Sequence, residues 1–446
     1  MSQELETQDK ADSVSNCGSY DYDAESYHGD YDYDANEEYE MPEESHPSYT
    51  QLRVSVGLLL KGERYTIVRK LGWGSYSIVW LAWDKKEARF VSIKILSTEG
   101  TGCIPEERGQ ELDHVRKIIK TLQEDPSSHG PHIVRCFDTF QHKAADGNEH
   151  LCIVMEPLSY SLDDLRIRFP GRMLPLASAK RFAKHILIAL HHLHQDAQIV
   201  YGDLKPNNVL LRSPDIDRII AQEMVRRPPV INVINGTPAP PGAITYKSQP
   251  LPPLGRDVKS EKDFDGCDAV LVDFGHGTSQ RIDDHIDEEN IQSTCFRAPE
   301  VVLGHPWSTA ADIWSFACTI FEIATGGVLF EVSMGGQHPE TGECWDADEH
   351  HLGSMVEVTG TTIPLEMKAK SRHWHESLDE QGNFLHFVSC GVASTLEECT
   401  RLYNEDMPTE DLLDFNRFLL RCFELRPDHR PTAAELLQDS WLNGDV

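Results

Sequence analysis

The sequence predicts an α+β chain of two unequal lobes, a small β-rich front lobe and a larger, mainly helical back lobe. From about residue 64, short runs rich in β-branched and aromatic residues, such as "YTIVRKLGW", are separated by turn material. After Leu158, apolar residues recur instead at helical spacing. We place the front lobe at residues 51–158 and the back lobe at 159–446, since 446 residues suffice for a substantial core.

The first 50 residues form an acidic segment ahead of these lobes. They carry 15 acidic residues against a single basic one, Lys10, and they repeat the phrase "DYDA" at Asp21–Ala24 and Asp32–Ala35. Few aliphatic side chains and a high charge do not offset the entropy lost on ordering. Residues 1–50 are therefore predicted to be a disordered tail.

The chain as a whole is also acidic, with a formal net charge of −32. Nucleic acid is therefore a poor direct partner, because its phosphates would be repelled. A cationic protein or peptide would be attracted. The simpler alternative is that the negative charge only keeps the protein soluble.

Targeting and redox signals indicate a reducing compartment. No apolar stretch approaches the length that spans a bilayer, and "MSQELETQDKADSVSN" has no basic start followed by an apolar run. The 11 cysteines are scattered singly without a C-x-x-C pair, which fits reduced thiols better than disulfides or a zinc site. We expect no membrane association and a location in the cytoplasm, the nucleus or both.

The elements of the front lobe follow in order along the chain. The runs "YTIVRKLGW", "SIVWLAWD" and "RFVSIKIL" predict an antiparallel sheet. Residues 106–122 place Val115, Ile118, Ile119 and Leu122 at helical spacing, and "HLCIVMEPL" then returns to a buried strand. The front lobe is thus predicted to be a sheet with one helix.

The back lobe begins with a long amphipathic helix in "ASAKRFAKHILIALHHLHQD". Two further helices are predicted in "AADIWSFACTIFEIATG" and "TEDLLDFNRFLLRCFEL". Between about residues 214 and 266, the runs "RRPPV", "NGTPAPPG" and "PLPPLG" hold too much proline for regular structure. We predict an irregular, Pro-rich insertion that loops out of the back lobe, with a short helix at 215–225.

A glycine hairpin and a strand lysine are the first candidates for phosphate binding. "LGWGSYSIVW" holds Gly72 and Gly74, with Ser77 where a third glycine often occurs. Backbone N–H groups there can contact phosphate oxygens, although a lone G-x-G fits any hairpin turn. Lys94 lies inside the apolar run "VSIKIL", where its ammonium needs an anion. The alternative is an edge lysine that faces water.

The helical segment that follows supplies a candidate partner for Lys94. Glu111 lies near its start, and Glu107 is the second choice. A Lys–Glu pair would hold the ammonium against the α- and β-phosphates of a nucleotide.

The stretch "VYGDLKPNNVLL" holds the main catalytic candidates. Asp203, Lys205 and Asn208 have D-x-K-x-x-N spacing, and Asp273 in "LVDFGHG" ends an apolar strand. A carboxylate can orient a hydroxyl, a lysine can neutralise a phosphate, and an amide oxygen with a second carboxylate can hold Mg²⁺. Taken singly, a helix cap, a turn and a loop would explain these residues. In this order and spacing they indicate phosphoryl transfer.

Together with "RAPE" at Arg297–Glu300, these motifs resemble the signature of protein kinases over about residues 65–442. The resemblance implies the bilobal protein kinase fold, with ATP and Mg²⁺ as cofactors. Lys205, two places beyond Asp203, is similar to serine/threonine rather than tyrosine kinases.

Further residues take roles from the same resemblance. Asp312 in "ADIW" resembles the aspartate that braces the catalytic loop, and Arg430 resembles the arginine that pairs with Glu300. The apolar walls, gatekeeper and hinge of the nucleotide pocket are implied at Leu71, Val79, Met155, Glu156 and Leu158. The backbone of Glu156 and Leu158 is expected to bind adenine.

Within the kinases, the sequence resembles the serine/arginine-protein kinase family, and its fungal members in particular. "KLGWGSYSIVW" follows that family's pattern K-L-G-W-G-x-x-S-x-V-W. The insertion directly after "NNVLL" stands where the family carries its spacer, and "IQSTCFRAPEVVLG" resembles its P+1 segment. The resemblance implies arginine/serine-rich protein substrates, such as splicing factors.

Position 202 lacks an arginine that many kinases have. That arginine precedes the catalytic aspartate and binds an activation-loop phosphate, which orders the loop. Gly202 cannot do this, and the serine/arginine-protein kinases also lack the arginine and are regarded as constitutively active. Gly202 and Tyr201 also depart from the threonine and histidine usual in that family. We predict activity that does not depend on activation-loop phosphorylation.

The stretch "GGQHPETGECWDADEHHLGSMVEVTG" corresponds to the acidic docking groove of that family. Asp348, Glu349 and Glu357 resemble the carboxylates that pair with substrate arginines. The alternative is that the acidic residues are only the charged start of a helix.

Two other interpretations compete with a monomeric kinase for arginine/serine-rich proteins. One keeps the chemistry but assigns unrelated substrates. The other is a pseudokinase scaffold that binds partners through its tail and insertion. The intact set of Lys94, Asp203, Asn208 and Asp273 argues against the scaffold.

Overall fold

The computed structural model describes most of the chain after the tail. The described ranges are 51–74, 76–101, 132–231, 246–255, 257–274, 291–332, 347–387 and 395–444, with five two-residue strands between them. The predicted tail, the predicted helix at 106–122, and with it Glu107 and Glu111, lie outside the described residues. No helix in these ranges is long and apolar enough to cross a membrane.

Six strands form the front lobe: β1 Leu59–Leu60, β2 Tyr65–Gly74, β3 Ser77–Asp84, β4 Arg89–Leu96, β5 Cys136–Lys143 and β6 Glu149–Met155. They make one antiparallel sheet in the order β1-β2-β3-β4-β6-β5. Tyr65, Ile67, Ile93 and Val154 are buried on it, because alternate residues of a strand share one face.

The register of this sheet decides where the strand lysine lies. β4 is hydrogen-bonded to β3 on one side and to β6 on the other, which puts Lys94 opposite Val79 and Ile153. Lys94 is only 8% exposed. It is therefore not an edge lysine that faces water.

Helices dominate the back lobe, so the predicted α+β arrangement is confirmed. After α1 Thr98–Thr101 in the front lobe come α2 Leu162–Arg166, α3 Leu176–His191, α4 Ile216–Arg226, α5 Pro299–Val302, α6 Ala310–Thr325, α7 Ala347–Thr359, α8 Trp374–Ser377, α9 Leu396–Tyr403, α10 Thr409–Cys422, α11 Ala433–Leu436 and α12 Ser440–Asn443. The short strands are β7 Ile199–Val200, β8 Val209–Arg212, β9 Val233–Ile234, β10 Thr237–Pro238, β11 Asp268–Leu271, β12 Thr278–Ser279, β13 Gly336–Gln337 and β14 Cys344–Trp345.

Helix α6 is the centre of the back lobe. All 16 of its residues are buried, including polar ones such as Asp312 and Glu322. Trp314 stacks on Phe330 with ring centroids 5.4 Å apart, and Arg430 lies over the same indole at 5.3 Å. The helix supports the loop between β7 and β8, which carries Asp203.

The described ends of the Pro-rich insertion pack on the front lobe instead of looping out. We call residues 216–231 and 246–255 the strap. Ile220 of α4 and Leu251 are fully buried in one cluster with Leu81 of β3. Apolar side chains on the helix, which the proline count did not reveal, hold the strap against the sheet.

Polar contacts also join the strap to the front lobe. The buried guanidinium of Arg69 donates to the carbonyl of Glu223 at 3.2 Å, at the C-terminal end of α4, where a cation is favourable. The N–H of Gln249 donates to the carbonyl of Lys70 at 3.0 Å. The strap therefore links the back lobe to the strand that leads into the glycine hairpin.

A buried histidine makes the free energy of unfolding depend on pH. His351 on α7 is fully buried, and neither ring nitrogen has a hydrogen-bond partner among the described residues. Burial, with Arg297 and His350 nearby, lowers the pKa of His351 to about 3. The unfolded chain binds this proton near the ordinary pKa of 6.5. Stability is therefore full above that pH and decreases as the pH falls toward 3.

We expect the free energy of unfolding, measured by urea denaturation, to fall by about 1.4 kcal/mol per pH unit below 6.5 through His351 alone. His351→Leu should remove this part of the slope. His375→Leu is the matched control, because the His375 side chain is 65% exposed. Equal slopes for the wild type and His351→Leu would contradict the prediction.

Candidate active site

A cavity of about 610 Å³ lies between the two lobes. It is lined by residues from the glycine hairpin, the strand lysine, the segment after β6, and the loops that follow β7 and β11. Among the lining residues are Leu71, Gly72, Gly74, Val79, Lys94, Met155, Glu156, Leu158, Asn208 and Asp273. The structure thus brings together residues that are far apart in the sequence.

Neither packing nor backbone conformation within the protein requires glycine at the two hairpin positions. A Cβ at Gly72 would have no heavy atom within 4 Å, and a Cβ at Gly74 would meet only Ser77 Oγ, at 4.0 Å. Neither glycine has a positive φ. Their bare backbone leaves room over the cavity, which is what close approach of a phosphate requires.

Lys94 and Asp273 both line the cavity and contact each other there. Lys94 Nζ lies 2.9 Å from Asp273 Oδ1. Asp273 has a φ of +58°, an uncommon conformation that costs about 1–3 kcal/mol for a residue other than glycine. The surrounding fold therefore holds this carboxylate in place at an energetic cost, as is common at functional sites.

The side chain of Asp203 is the centre of the catalytic cluster. It is 8% exposed and accepts hydrogen bonds from Asn208 Nδ2 at 2.8 Å and from Ser293 Oγ at 2.8 Å. Lys205 Nζ lies 3.0 Å from the same carboxylate and donates to Ser293 Oγ at 2.7 Å. The sequence places Ser293 in the P+1 segment but gives no signal that it contacts Asp203.

The backbone of the catalytic loop is braced from α6. Asp312 Oδ1 accepts the N–H of Gly202 at 2.9 Å, and Asp312 Oδ2 accepts the N–H of Tyr201 at 2.7 Å and lies 2.8 Å from His194 Nε2. Gly202 has a φ of +80°, a conformation that glycine adopts without a steric penalty. Glycine therefore suits the braced loop.

Tyr201 links the catalytic loop to the segment that carries Asp273. Its hydroxyl donates to the carbonyl of Val272, and its ring packs edge-on against Phe274 at 5.5 Å. Complete burial raises the pKa of Tyr201. A histidine is therefore not required here, because tyrosine fills the space and supplies the donor.

The segment after β6 is partly used by the protein itself. The N–H of Glu156 donates to the carbonyl of Arg135 at 3.0 Å, and its carbonyl accepts Ser92 Oγ at 2.9 Å. The Glu156 side chain pairs with Arg212 at 2.6 Å. The N–H of Glu156 is therefore occupied within the protein, whereas its carbonyl keeps a second lone pair for a ligand. The expectation that the backbone of Glu156 and Leu158 binds adenine stays a prediction.

Pro250 and Leu251 of the strap also line the cavity. Sequence reasoning missed them, because "PLPPLG" gives no signal of where the chain returns. The wall of the nucleotide pocket thus includes part of the insertion.

The three predicted docking carboxylates have different environments on α7. Asp348 is exposed, and Glu357 is half-buried. Glu349 is 1% exposed and accepts the N–H groups of His386 at 2.6 Å and Phe387 at 3.0 Å. The assignment of Glu349 to docking is wrong, because its carboxylate is buried and fastens a neighbouring segment to α7.

Comparison with known proteins decides the family. The model of the protein kinase domain matches residues 65–224 and 256–442. The chain belongs to the protein kinase family. The matched segments leave out residues 225–255, which fall within the insertion of this kinase.

The relatives narrow the family further. The kinase is 30% identical over 400 residues to the serine/threonine-protein kinase SRPK of Physarum polycephalum, covering 87% of this chain and 88% of that protein. It is 25% identical to human SRSF protein kinase 3, with 87% and 88% covered. It is 24% identical to protein kinase dsk1 of Schizosaccharomyces pombe, with 89% and 82% covered. The chain is a serine/threonine kinase of the serine/arginine-protein kinase family.

Proposed function

We propose that this kinase transfers the γ-phosphoryl group of ATP, bound with Mg²⁺, directly to serine hydroxyls in arginine/serine-rich proteins. The observation that carries the proposal is the convergence of Lys94, Asp203, Lys205, Asn208 and Asp273 around one cavity. The names of relatives such as SRSF protein kinase 3 support the substrate class.

The contacts of the cluster support a role for each side chain. Asp203 would orient the serine hydroxyl and accept its proton, and Lys205 would neutralise charge on the transferred group. Asn208 uses Nδ2 to hold Asp203. Its amide oxygen is then left, with the Asp273 carboxylate, to bind a hard divalent ion. Bound Mg²⁺ would offset the charge of the phosphate oxygens.

The site for substrate arginines is supported by α7. Glu357 Oε1 is buried and has no hydrogen-bond partner in the part of the chain that the structure describes. The Glu357 side chain as a whole is only half-buried, so, unlike Glu349, it stays accessible to a substrate guanidinium that would pair with its carboxylate. Asp348 is exposed near the start of the same helix. We therefore retain Asp348 and Glu357 as docking carboxylates, without Glu349.

Transfer from radiolabelled ATP to an Arg-Ser repeat peptide tests this function, with a Lys-Ser repeat peptide alongside. Rapid transfer to the arginine peptide and weaker transfer to the lysine peptide are expected, because only arginine presents a planar fork to a carboxylate. An active enzyme that ignores Arg-Ser repeats would instead favour unrelated substrates. A chain without any transfer would favour the scaffold.

Glu357→Gln should raise the KM for the arginine peptide by about three- to tenfold, because a charge-assisted hydrogen bond is lost. The KM for ATP should stay the same. Glu410→Gln, at an exposed acidic residue of α10, is the matched control. An unchanged peptide KM in Glu357→Gln would remove this residue from the docking site.

The P+1 segment supports activity without activation-loop phosphorylation. Gln292 is 5% exposed, and its N–H donates to the carbonyl of Gly202 at 2.7 Å. Gln292 Nε2 donates to the carbonyl of Ala311 at 2.9 Å and to Ser315 Oγ at 2.7 Å, and its Oε1 accepts the N–H of Ala298 at 3.0 Å. The backbone N–H and the side-chain amide of Gln292 together fasten the P+1 segment to the catalytic loop and α6 through the protein's own groups.

Gln292→Ala should lower kcat/KM for the peptide by roughly tenfold or more, because three buried side-chain hydrogen bonds are lost and their partners stay unsatisfied. Nucleotide affinity, measured by calorimetry, should change little. Gln438→Ala, at an exposed glutamine, is the control. A variant with the wild-type rate would show that the P+1 segment is held by other contacts.

A further inference from the structure

Two carboxylates face one guanidinium beside the catalytic loop. Asp163 lies on α2, and Glu322 lies near the end of α6. Arg166, also on α2, lies between them. We call Asp163 and Glu322 with this arginine the arginine cradle.

The contacts within the cradle have the geometry of arginine recognition. Arg166 Nε and NH2 both lie 2.8 Å from Asp163 Oδ1, and NH2 lies 2.5 Å from Glu322 Oε1. Arg166 NH1 makes longer contacts, 3.4 Å each, with the carbonyls of Arg172 and Gly326. Planar, multidentate pairing of this kind is how proteins bind the guanidinium of a partner.

The cradle adjoins the catalytic residues. Asn207 Nδ2 donates to Asp163 Oδ2 at 3.0 Å, and Asn207 directly precedes Asn208 of the catalytic cluster. Asn207 and Asp164 also line the nucleotide cavity. The Arg166 and Asp163 side chains are 12% and 29% exposed. A substrate serine held near Asp203 would therefore bring its neighbouring residues close to the cradle.

Arg166 is shared by two carboxyl groups of different exposure. The Asp163 side chain is 29% exposed, whereas that of Glu322 is only 7% exposed. Burial raises the pKa of Glu322 to about 7, even though Arg166 opposes that change. Without Arg166, Asp163 and Glu322 would form a site for an external guanidinium.

We propose that Arg166 is a specificity-determining residue: it fills an arginine subsite beside the catalytic loop with the chain's own guanidinium and so excludes substrate arginines from it. Arginine recognition is then left to the docking carboxylates of α7. The proposal deepens the proposed function, because it concerns which arginines of a substrate the kinase reads. The alternative is an ion pair that only stabilises α2 against α6.

The test is a scan of serine peptides that carry a single arginine within three residues of the serine, compared with the alanine peptides. For the wild type, the ratio of kcat/KM values should stay within about threefold at each position. Arg166→Ala should raise the ratio by about tenfold or more at one or two positions. Arg166→Ala combined with Glu322→Gln should lose that gain. A flat scan for folded Arg166→Ala would overturn the proposal.

Two further measurements test the proposal if Arg166→Ala is unstable. Methylguanidinium should raise the melting temperature of Arg166→Ala while leaving the wild type unchanged, and failure to do so would overturn the proposal. A wild type that already selects arginine at one position, and loses this selection in Glu322→Gln, would also overturn it. The scan can use any serine peptide that the kinase phosphorylates, so its result is separable from a failure of the Arg-Ser assignment.

Discussion

Replacing Asp203 by asparagine is expected to lower kcat by roughly 10²- to 10⁴-fold, because the carboxylate that orients the serine hydroxyl and accepts its proton is lost. The change is isosteric, so the loop between β7 and β8 should keep its fold. The KM for ATP should change little, since Asp203 does not line the cavity that the nucleotide residues share. Steady-state rates with radiolabelled ATP measure the effect.

Asp196→Asn is the matched control for Asp203→Asn. Asp196 lies just before the catalytic loop and is about half exposed. Within the described ranges, its side chain forms a hydrogen bond with His192 alone. Its rate should equal that of the wild type. If Asp203→Asn instead kept a rate within a few-fold of the wild type, the serine hydroxyl would have to be oriented by another group.

The second large effect is expected on stability, from Arg430→Met. The Arg430 and Glu300 side chains are both 0% exposed and lie 2.8 Å apart. Arg430 also donates to the carbonyls of Ala310 and Glu424 at 2.6 and 3.0 Å. Removing the guanidinium leaves a buried carboxylate without its partner, so the free energy of unfolding should fall by about 3–5 kcal/mol.

Urea denaturation of Arg430→Met should be compared with that of Arg426→Met. Arg426 pairs with Glu366 at 2.7 Å, but these side chains are 37% and 70% exposed. An exposed pair contributes only about 0–1 kcal/mol, so this control should lose little stability. The double variant Arg430→Met/Glu300→Gln should lose less than Arg430→Met alone. Equal losses for the buried and the exposed pair would contradict the account.

The two lobes and the catalytic spacing were predictable because both depend on local patterns. Strand alternation around Lys94 and the apolar surface of α6 are visible within single segments of sequence. The spacing of Asp203, Lys205 and Asn208 is fixed by one short loop. The pairing of Arg430 with Glu300 followed from the family resemblance, and the structure forms it.

Other features depend on contacts between distant segments, which the sequence does not display. Glu349 is acidic near the start of a helix, and only its contacts with residues 386 and 387 show that it is buried. The strap has many prolines, yet Ile220 and Leu251 anchor it on the front lobe. Gln292 gave no signal, because its partners lie on the catalytic loop, on α6 and at Ala298.

The same distinction applies to Gly202. The sequence shows that the phosphate-binding arginine is missing, but it does not show what replaces its effect. In the structure, Asp312 and Gln292 hold the backbone around Gly202. These contacts use only the protein's own groups, which supports the proposal that activity does not depend on activation-loop phosphorylation.

We propose that the phosphoryl-transfer site of this kinase assembles without an activation-loop phosphate. The most direct measurement is the initial rate of transfer from radiolabelled ATP and Mg²⁺ to an Arg-Ser repeat peptide, before and after exhaustive treatment of the purified kinase with a protein phosphatase. The same rate is expected in both samples, with loss of activity in Asp203→Asn. A treated wild-type kinase that no longer transfers phosphate would contradict it.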